Sequence, residues 1–379
     1  MTLFLFTFFL LYGGMHFYAF MKARAALAFS TQTGFLVAVF MAMMLFAPFI
    51  IRISERAGFE FFARLMSYIG YTWLGVLFLF TSASVAVDIY RFVVYASGFV
   101  LKRDLSFLVI SDKLAFLVPL IIAMATSVYG YFEAKDIRTE KITVRSPKIP
   151  ADIGRVRIVQ ISDVHIGLIV GEDRIKRMME EVRKANPDMV VSTGDLVDGQ
   201  MDALSGLADL LKEIRPGYGK FAITGNHEFY AGLDQALNFT KRAGFRMLRG
   251  EEVAVAGITI AGVDDRQGKT FGLFRGDGEK ELLSGIDHKK FVLLLKHRPL
   301  VDEASLGLFD LQLSGHVHKG QIFPFSIITA LYYPTQAGFA HLPLGSELYV
   351  SRGTGTWGPP IRFLAPPEVT VIDLVHGNK

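Results

Sequence analysis

The stretch RVRIVQISDVH, residues 155–165, is the most informative part of this sequence. Four of its first eight residues are Val or Ile, which predicts a buried strand, and Asp163 and His165 follow that strand directly. Because residues two apart at the end of a strand can point the same way, this carboxylate and imidazole can hold one cation. The stretch therefore predicts a sheet with a pair of metal ligands at its edge.

Seven further segments share this apolar character and end abruptly at polar or glycine residues. The predicted strands cover residues 155–162, 189–193, 221–224, 253–263, 291–296, 311–314, 348–351 and 369–374. Helical patterns at residues 173–185 and 204–214 separate the first three strands, so the early part is a βαβαβ unit and the later part is rich in strands. The pattern predicts an α/β domain over residues 151–379.

Polar side chains follow five of these strands, and every group contains potential metal ligands. The groups are Asp163 with His165, then Asp195, then Asn226 with His227 and Glu228, then His297, then His316 with His318. Ligands bind outside the carboxyl ends of strands in such sheets, so the five groups are expected to converge on one crevice. A lone His297 is better explained by packing, and an isolated Asp-x-His pair equally well by a strand cap. All five groups in this order favour a metal site.

The composition limits which metals and partners are plausible. The chain has no cysteine, which excludes disulfides, thiolate-bound zinc, iron–sulfur clusters and thiol nucleophiles. Carboxylates, an amide and imidazoles suit divalent manganese, iron or zinc. A net charge of +4, without any block of five or more Lys and Arg residues, gives no reason to propose a nucleic-acid partner.

The order Asp-x-His, Gly-Asp, Gly-Asn-His-Glu, His, Gly-His-x-His resembles the calcineurin-like metallophosphoesterase superfamily over about residues 155–319. The ending, residues 349–374, is similar to its membrane-associated bacterial subgroup. The resemblance implies a four-layered αββα sandwich with two divalent metal ions, manganese favoured. One ion would be held by Asp163, His165 and His318, the other by Asn226, His297 and His316, and Asp195 would bridge both.

The resemblance also places His227 beside the substrate phosphate and makes Asn226 and His227 the predicted catalytic residues. Two metals about 3.5 to 4 Å apart can turn a bridging water into hydroxide near neutral pH, and this hydroxide is expected to attack phosphorus. His227, as imidazolium, would protonate or stabilise the leaving oxygen. Glu228 departs from the pattern, because many relatives carry Asp at this place.

The first third of the chain has a different composition. Only 14 of the 76 charged residues lie in residues 1–132. Apolar runs long enough to cross a bilayer as helices cover residues 3–20, 34–51, 67–87 and 114–132. We expect about four transmembrane helices in residues 1–132, a connector or edge strand at residues 133–150, and an interfacial helix or a longer broken span in residues 88–113.

Four crossings would make this a multi-pass cell-membrane protein with both termini on one side. Eight basic residues flank the spans on the side of the α/β domain, against six on the opposite side, which slightly favours a cytoplasmic domain.

The tether suggests a substrate in or on the membrane, because confinement to a surface raises the effective concentration. Residues 323–340 are apolar and aromatic, which suits either an interfacial flap or ordinary core. The resemblance points to a pyrophosphate hydrolase acting on a lipid-linked nucleotide, as in UDP-2,3-diacylglucosamine hydrolysis during lipid A synthesis. The alternatives are a broad phosphodiesterase or phosphomonoesterase on soluble or cell-envelope substrates, and a membrane sensor or scaffold without catalysis.

Four other residues allow two interpretations each. Asp264 and Asp265 suit either a supporting role behind the metal ligands or a solvated turn. Arg352 and Arg362 suit either contact with an anionic substrate or an ordinary surface position.

Overall fold

The computed structural model describes residues 2–199 and 205–378 of the chain. Contacts divide it into two compact units. The helical unit contains Met1–Phe132 and the short segment Gly358–Ile361, and the sheet unit contains Glu133–Trp357 and Arg362–Lys379.

Five helices make up the helical unit. They are α1 (Thr2–Leu27), α2 (Thr31–Leu45), α3 (Ala47–Arg56), α4 (Glu60–Leu101) and α5 (Asp112–Glu133). Polar contacts join α1 to α4: the indole Nε1 of Trp73 donates to Nε2 of His16 over 2.9 Å, and the Tyr18 hydroxyl donates to Asp88 over 2.6 Å. Lys22 adds an ion pair with the same Asp88 carboxylate.

The described residues contain fewer clear membrane spans than the sequence predicts. Two helical segments, Glu60–Leu101 and Ser106–Glu133, are long and apolar enough to cross a bilayer, and the pair α2 and α3, bent by 50°, makes a third if it counts as one span. The expected first span, residues 3–20, lies on α1, which does not meet the same criteria within the described residues. The part of the chain that the structure describes thus contains two or three candidate spans, where four were predicted.

Helix α4 differs from both structures that were predicted for residues 88–113, an interfacial helix and a broken span. The helix continues without a break to Leu101, over 42 residues. At 1.5 Å per residue this is about 63 Å, roughly twice the thickness of a hydrocarbon core. A single long helix is thus present where an interfacial helix or a broken span was expected.

The sheet unit contains twelve strands and seven helices in its described residues. The strands are β1 (Arg138–Ser146), β2 (Arg155–Ile161), β3 (Met189–Ser192), β4 (Lys220–Ala222), β5 (Arg246–Met247), β6 (Glu251–Val255), β7 (Ile258–Gly262), β8 (Val292–Leu295), β9 (Leu311–Ser314), β10 (Gly338–His341), β11 (Glu347–Val350) and β12 (Glu368–His376). The helices are α6 (Glu172–Lys184), α7 (Ser205–Lys212), α8 (Asn226–Ala231), α9 (Leu233–Arg242), α10 (Gln267–Phe271), α11 (Glu279–Ser284) and α12 (Phe325–Thr329).

The strands form two mixed six-stranded sheets. The first has the order β1-β12-β2-β3-β4-β5 and the second β10-β11-β9-β8-β7-β6. In each sheet the strands that precede the predicted ligands run parallel: β2, β3 and β4 in one, β8 and β9 in the other. Their carboxyl ends therefore lie along common edges.

Successive residues of a strand face different layers. Ile158 packs between the sheets with Ile260 and Leu313, whereas Val159 packs on the outer side against the helices. Helices α6, α7 and α9 cover the first sheet, and α11 covers the second. These layers form the predicted α/β sandwich, and burial on both faces explains why the strand sequences are apolar throughout.

One predicted strand is in fact two. Residues 253–263 contain β6 and β7, which pair antiparallel around Ala256 and Gly257. Both turn residues have positive φ, 50° and 72°, the backbone that a two-residue hairpin requires. The predicted helix at residues 204–214 starts at Leu204, which lies outside the described residues.

Candidate metal centre

Five of the predicted ligands sit in a strained backbone conformation. Asp163, His165, Asp195, His316 and His318 all have φ between 49° and 73°, a region that residues with a Cβ rarely adopt. Each follows the end of a parallel strand, where the chain turns sharply. Strain of this kind costs about 1 to 3 kcal/mol per residue and concentrates at functional sites. The fold therefore holds these side chains in place at a cost to its stability.

The first ligand group contains Asp163, His165 and His318. Nε2 of His165 lies 3.2 Å from Nε2 of His318, which in turn lies 3.4 Å from a carboxylate oxygen of Asp163. All three side chains are buried. Their ligand atoms lie within 4.8 Å of one another, which matches the first predicted metal site.

The second group contains Asp195, Asn226, His297 and His316. Nε2 of His297 lies 3.2 Å from Asp195 Oδ2, 3.3 Å from Asn226 Oδ1 and 3.1 Å from His316 Nδ1. The same Asp195 Oδ2 is 3.9 Å from His165 Nε2 in the first group. Asp195 thus stands between the two groups, at the position predicted for a bridging ligand.

The chemistry of these donors fits two divalent cations. Nδ1 of His297 donates to the Thr193 carbonyl over 2.8 Å, so its Nε2 directs a lone pair toward the Asp195, Asn226 and His316 acceptors. Acceptor atoms packed this closely repel one another unless a cation lies between them. Ligands about 2.0 to 2.2 Å from one ion lie roughly 3 Å or slightly more apart, as these do. The donor set fits manganese, iron or zinc alike.

The electrostatics of the site indicate the same need for positive charge. Burial by itself lowers the pKa of His297, but Asp195 and Asp163 outweigh burial and raise this pKa to about 10. The pKa of Asp195 lies well below its usual value despite burial, because His297, His227 and His165 surround it. A bound cation would supply the charge that a proton on His297 supplies otherwise.

His227 lies beside the first ligand group without belonging to either of the sets described above. Its ring meets the ring of His165 edge to face, with centroids 4.6 Å apart. Its Nδ1 lies 2.7 Å from a carboxylate oxygen of Asp198, and its backbone N–H donates to Asp195. Burial lowers the pKa of His227, but Asp195 and Asp198 overcome this and raise it to about 9. Without bound ions, His227 is therefore an imidazolium near neutral pH.

The family comparison agrees with this geometry. The calcineurin-like phosphoesterase family matches residues 156–320, which span all of these ligands. An uncharacterized metallophosphoesterase of Aquifex aeolicus is 42% identical over 255 residues, 67% of this chain and 97% of that protein. The chain belongs to the metallophosphoesterase family. It is therefore a metal-dependent phosphoesterase.

Two other relatives of this metallophosphoesterase bear on its first third, one by its coverage and one by its name. An uncharacterized metallophosphoesterase of Campylobacter jejuni is 32% identical and covers 86% of this chain and 88% of its own length. A Danio rerio protein named transmembrane protein with metallophosphoesterase domain is 31% identical, covering 67% of this chain and 61% of its own. With the apolar helices described above, these relatives indicate membrane association.

Solved structures resemble this metallophosphoesterase more distantly. A dimetal phosphatase from Danio rerio is 14% identical, with a TM-score of 0.38, and covers 57% of this chain and 91% of its own. A score this low carries no argument about function.

Asp198, which was not predicted as a site residue, lies beside His227 and the predicted ligand His165. Besides its contact with His227, the Asp198 carboxylate lies 3.5 Å from Nδ1 of the ligand His165. The signal was present in the sequence, because Asp198 follows the Gly194-Asp195 pair after two apolar residues. Only the fold shows that it returns to the site.

Glu228 supports the backbone of the site and not His227. Its buried carboxylate accepts hydrogen bonds from the backbone N–H groups of Asp195, Leu196 and Gly225, at 2.6 to 3.0 Å. Burial and the neighbouring Asp195 raise its pKa. Glu228 thus ties the loop after β3 to the loop after β4, which carry the bridging Asp195 and Asn226.

The two aspartates after β7 do not form a solvated turn. Both are buried. Asp264 binds Arg249 and accepts from Thr224 Oγ1 over 2.9 Å, whereas Asp265 binds Arg298, the residue after the ligand His297. They act as supports behind the site.

Neither arginine of the C-terminal segment occupies an ordinary surface position. Arg362 is fully buried, and its Nη2 lies 3.0 Å from Nδ1 of the ligand His318. Arg352 is paired with Glu368 and Glu140. Their guanidinium groups are thus occupied within the protein, and contact with an anionic substrate is not needed to explain them.

The apolar segment at residues 323–340 is not ordinary core. The exposed fraction reaches 61% at Ile327, 80% at Leu331 and 72% at Tyr332. Tyr333, within this segment, packs edge to face on the predicted ligand His316, with centroids 5.5 Å apart. The metallophosphoesterase therefore carries an exposed apolar segment next to its metal centre.

Proposed function

We propose that this metallophosphoesterase hydrolyses a phosphoester or pyrophosphate bond on a substrate held at the membrane. The observation that carries the proposal is the meeting of seven ligand side chains in two groups around Asp195, with His227 beside them. Asp163, His165, His318 and Asp195 would hold one divalent ion, and Asp195, Asn226, His297 and His316 the other. When bound, two such ions supply a water of lowered pKa and neutralise charge on the phosphate oxygens.

The residues of the chain orient the reaction around these ions. Strained backbone and buried hydrogen bonds hold the ligands before substrate arrives, so little reorganisation is needed during the reaction. Nδ1 of His227 lies 2.7 Å from the Asp198 carboxylate, whose negative charge favours the protonated ring. In this proposal His227 donates its proton to the leaving oxygen as the bond to phosphorus breaks, and regains one from solvent afterwards.

We propose further that the substrate is lipid-linked. The chain contains helices able to cross a bilayer, and Tyr333 of the exposed apolar segment contacts the proposed ligand His316. A lipid-linked nucleotide pyrophosphate of the UDP-2,3-diacylglucosamine type is the specific candidate. A broad phosphodiesterase or phosphomonoesterase on soluble or cell-envelope substrates is the second candidate. The complete ligand set with His227 beside it argues against a non-catalytic sensor or scaffold. A domain that only binds would not need His227.

Full-length protein in detergent provides the test. With manganese, it is expected to hydrolyse a chromogenic phosphodiester, and activity should disappear after complete chelation. His227→Ala should lose about 100-fold or more in turnover while keeping its metal content and melting temperature. Full activity after chelation would exclude the mechanism. Comparable rates on lipid-linked pyrophosphates and water-soluble diesters would favour the second candidate, and elemental analysis would identify the metals.

We also propose that α1 crosses the membrane, which makes four spans and places both termini on the cytoplasmic side. Since the chain has no cysteine, single cysteines report topology without background labelling. Ser30 and Lys289 are exposed. A membrane-impermeant maleimide should label Ser30→Cys in intact cells, and leave both Lys289→Cys and an N-terminal cysteine tag unlabelled until lysis. Labelling of both the N-terminal tag and Ser30→Cys in intact cells would exclude a crossing by α1.

A further inference from the structure

Two exposed aromatic side chains lie against His227. The ring of Tyr230 is 5.4 Å from the His227 ring and the ring of Trp357 is 6.0 Å from it, both nearly perpendicular to it. Trp357 is 55% exposed and Tyr230 is 45% exposed. A large aromatic side chain left half in water gives up the stabilisation that full burial would provide. Half-exposed rings beside a catalytic residue are typical of a binding surface.

Trp357 is held in place by its backbone. The Gln321 side chain donates to the Trp357 carbonyl over 2.8 Å and accepts from the Trp357 N–H over 2.9 Å. Gln321 is itself buried, with φ of 54° and ψ of −49°, an unfavourable conformation for a residue with a side chain. The fold thus uses a strained residue to fix the position of a half-exposed tryptophan.

Tyr230 is held by a different element. Its hydroxyl donates to Oε1 of Gln267 over 3.1 Å, and its ring is 6.2 Å from the half-exposed Phe271 of α10. Two separate parts of the chain therefore hold aromatic rings in fixed positions beside His227. Because these rings are already ordered, ligand binding costs less conformational entropy.

We propose that Trp357 and Tyr230 form a subsite for a planar aromatic group of the substrate, a nucleobase or an aryl ring, next to the scissile bond. The placement rests on the proposed function, which puts the scissile bond at the metal centre beside His227, and on the contact of both rings with His227. Flat aromatic faces bind planar rings by stacking, whereas a saturated group of equal size gains only apolar contact.

Phosphonates test this without turnover, because their P–C bond resists hydrolysis. Phenylphosphonate and cyclohexylphosphonate share charge and size but differ in planarity. With the manganese-loaded full chain, the phenyl compound should bind about ten-fold more tightly. Trp357→Ala should abolish this preference without changing metal content, and Trp357→Phe should retain part of it. Tyr218→Ala, which removes an exposed tyrosine that precedes β4 at the end of the strand away from the site, should leave the preference unchanged.

Fluorescence gives a second measurement. Trp73 and Trp357 are the two tryptophans of the chain, so Trp73→Phe leaves Trp357 as the reporter. Phenylphosphonate should change its emission, and a nucleoside methylenediphosphonate should do so more strongly if the natural group is a nucleobase. Equal affinity for the phenyl and cyclohexyl compounds, or no response of Trp357, would overturn the subsite. Because binding alone is measured, loss of the phenyl preference is distinguishable from a lack of hydrolysis.

Discussion

Single residues at this site act through partners that lie far away in sequence. His227 depends on Asp198, 29 positions earlier, and Asp195 depends on Glu228, 33 positions later. Each partner is a buried or partly buried carboxylate whose removal leaves specific groups unpaired. Substituting these partners therefore tests how the site residues are oriented without removing a metal ligand.

Replacing Asp198 by Asn should reduce activity, because the substitution removes the charge that holds His227 protonated and oriented. Asp198 also lies near the ligand His165, and changes of this kind typically cost about 10- to 100-fold in activity or metal affinity. Turnover at saturating manganese and bound metal per chain should both be measured. A variant with wild-type values for both would show that Asp198 has no role.

Replacing Glu228 by Ala should destabilise the sheet unit. Three buried backbone N–H groups lose their acceptor, which costs about 3 kcal/mol or more and lowers the melting temperature by roughly 6 °C or more. Glu252 is exposed on β6, and Glu252→Ala is the matched control that should melt like the wild type. Equal melting temperatures of the two variants would show that the hydrogen bonds of Glu228 do not stabilise the sheet unit.

The helices and strands of the sheet unit are joined by buried polar contacts as well as by apolar packing. Strand β4 carries the buried Lys220, whose Nζ donates to the carbonyls of Leu211 in α7 and Ala243 after α9, at 2.8 and 2.5 Å. Burial, together with the nearby charges of Arg215 and Lys212, lowers the pKa of Lys220 to about 8. One lysine thus links the ends of two helices to the sheet.

This lysine predicts a pH dependence of stability. Between about pH 8 and its unfolded pKa of about 10.4, Lys220 is mostly neutral when folded but protonated when unfolded. The unfolded chain then binds more protons, so the free energy of unfolding rises with pH across this window. The melting temperature of wild type relative to Lys220→Met should therefore increase from pH 7.5 to pH 10. A constant difference would show that the folded pKa is not lowered.

At the scale of the whole molecule, the metal centre joins the two sheets. Asp163, Asp195 and Asn226 come from loops of the first sheet, and His297, His316 and His318 from loops of the second. Bound cations would therefore stabilise the packing of one sheet on the other.

Metal removal should accordingly lower the melting temperature of the sheet unit. Ligands that bind only the folded state stabilise it by about 3 to 4 kcal/mol at 100 to 1,000 times their dissociation constant. Chelated protein should melt several degrees lower, and manganese should restore the original value. Asp195→Asn should melt independently of manganese, and a manganese response equal to that of wild type in this variant would place the ions elsewhere.

Most of the strands, the resemblance to the metallophosphoesterases and seven candidate ligands could be predicted from the sequence, because each candidate ligand follows an apolar strand and strand ends meet at one edge of a sheet. Strands β5 and β10 were not predicted, and one predicted strand is the hairpin of β6 and β7. The sequence also predicted a membrane-associated first third, although four spans were expected where two or three candidates are found. These predictions rest on local sequence patterns, since burial and the periodicity of apolar residues are properties of neighbouring residues.

Tertiary structure alone decided the roles of the residues behind the ligands. Asp198, Glu228, Gln321 and Arg362 act through contacts 29 to 44 positions away in the chain, and nothing in their own neighbourhoods reveals those partners. Their chemistry depends on burial and on which groups the fold brings within hydrogen-bonding distance. Such distances between remote segments follow from how the two sheets pack, which no local pattern specifies.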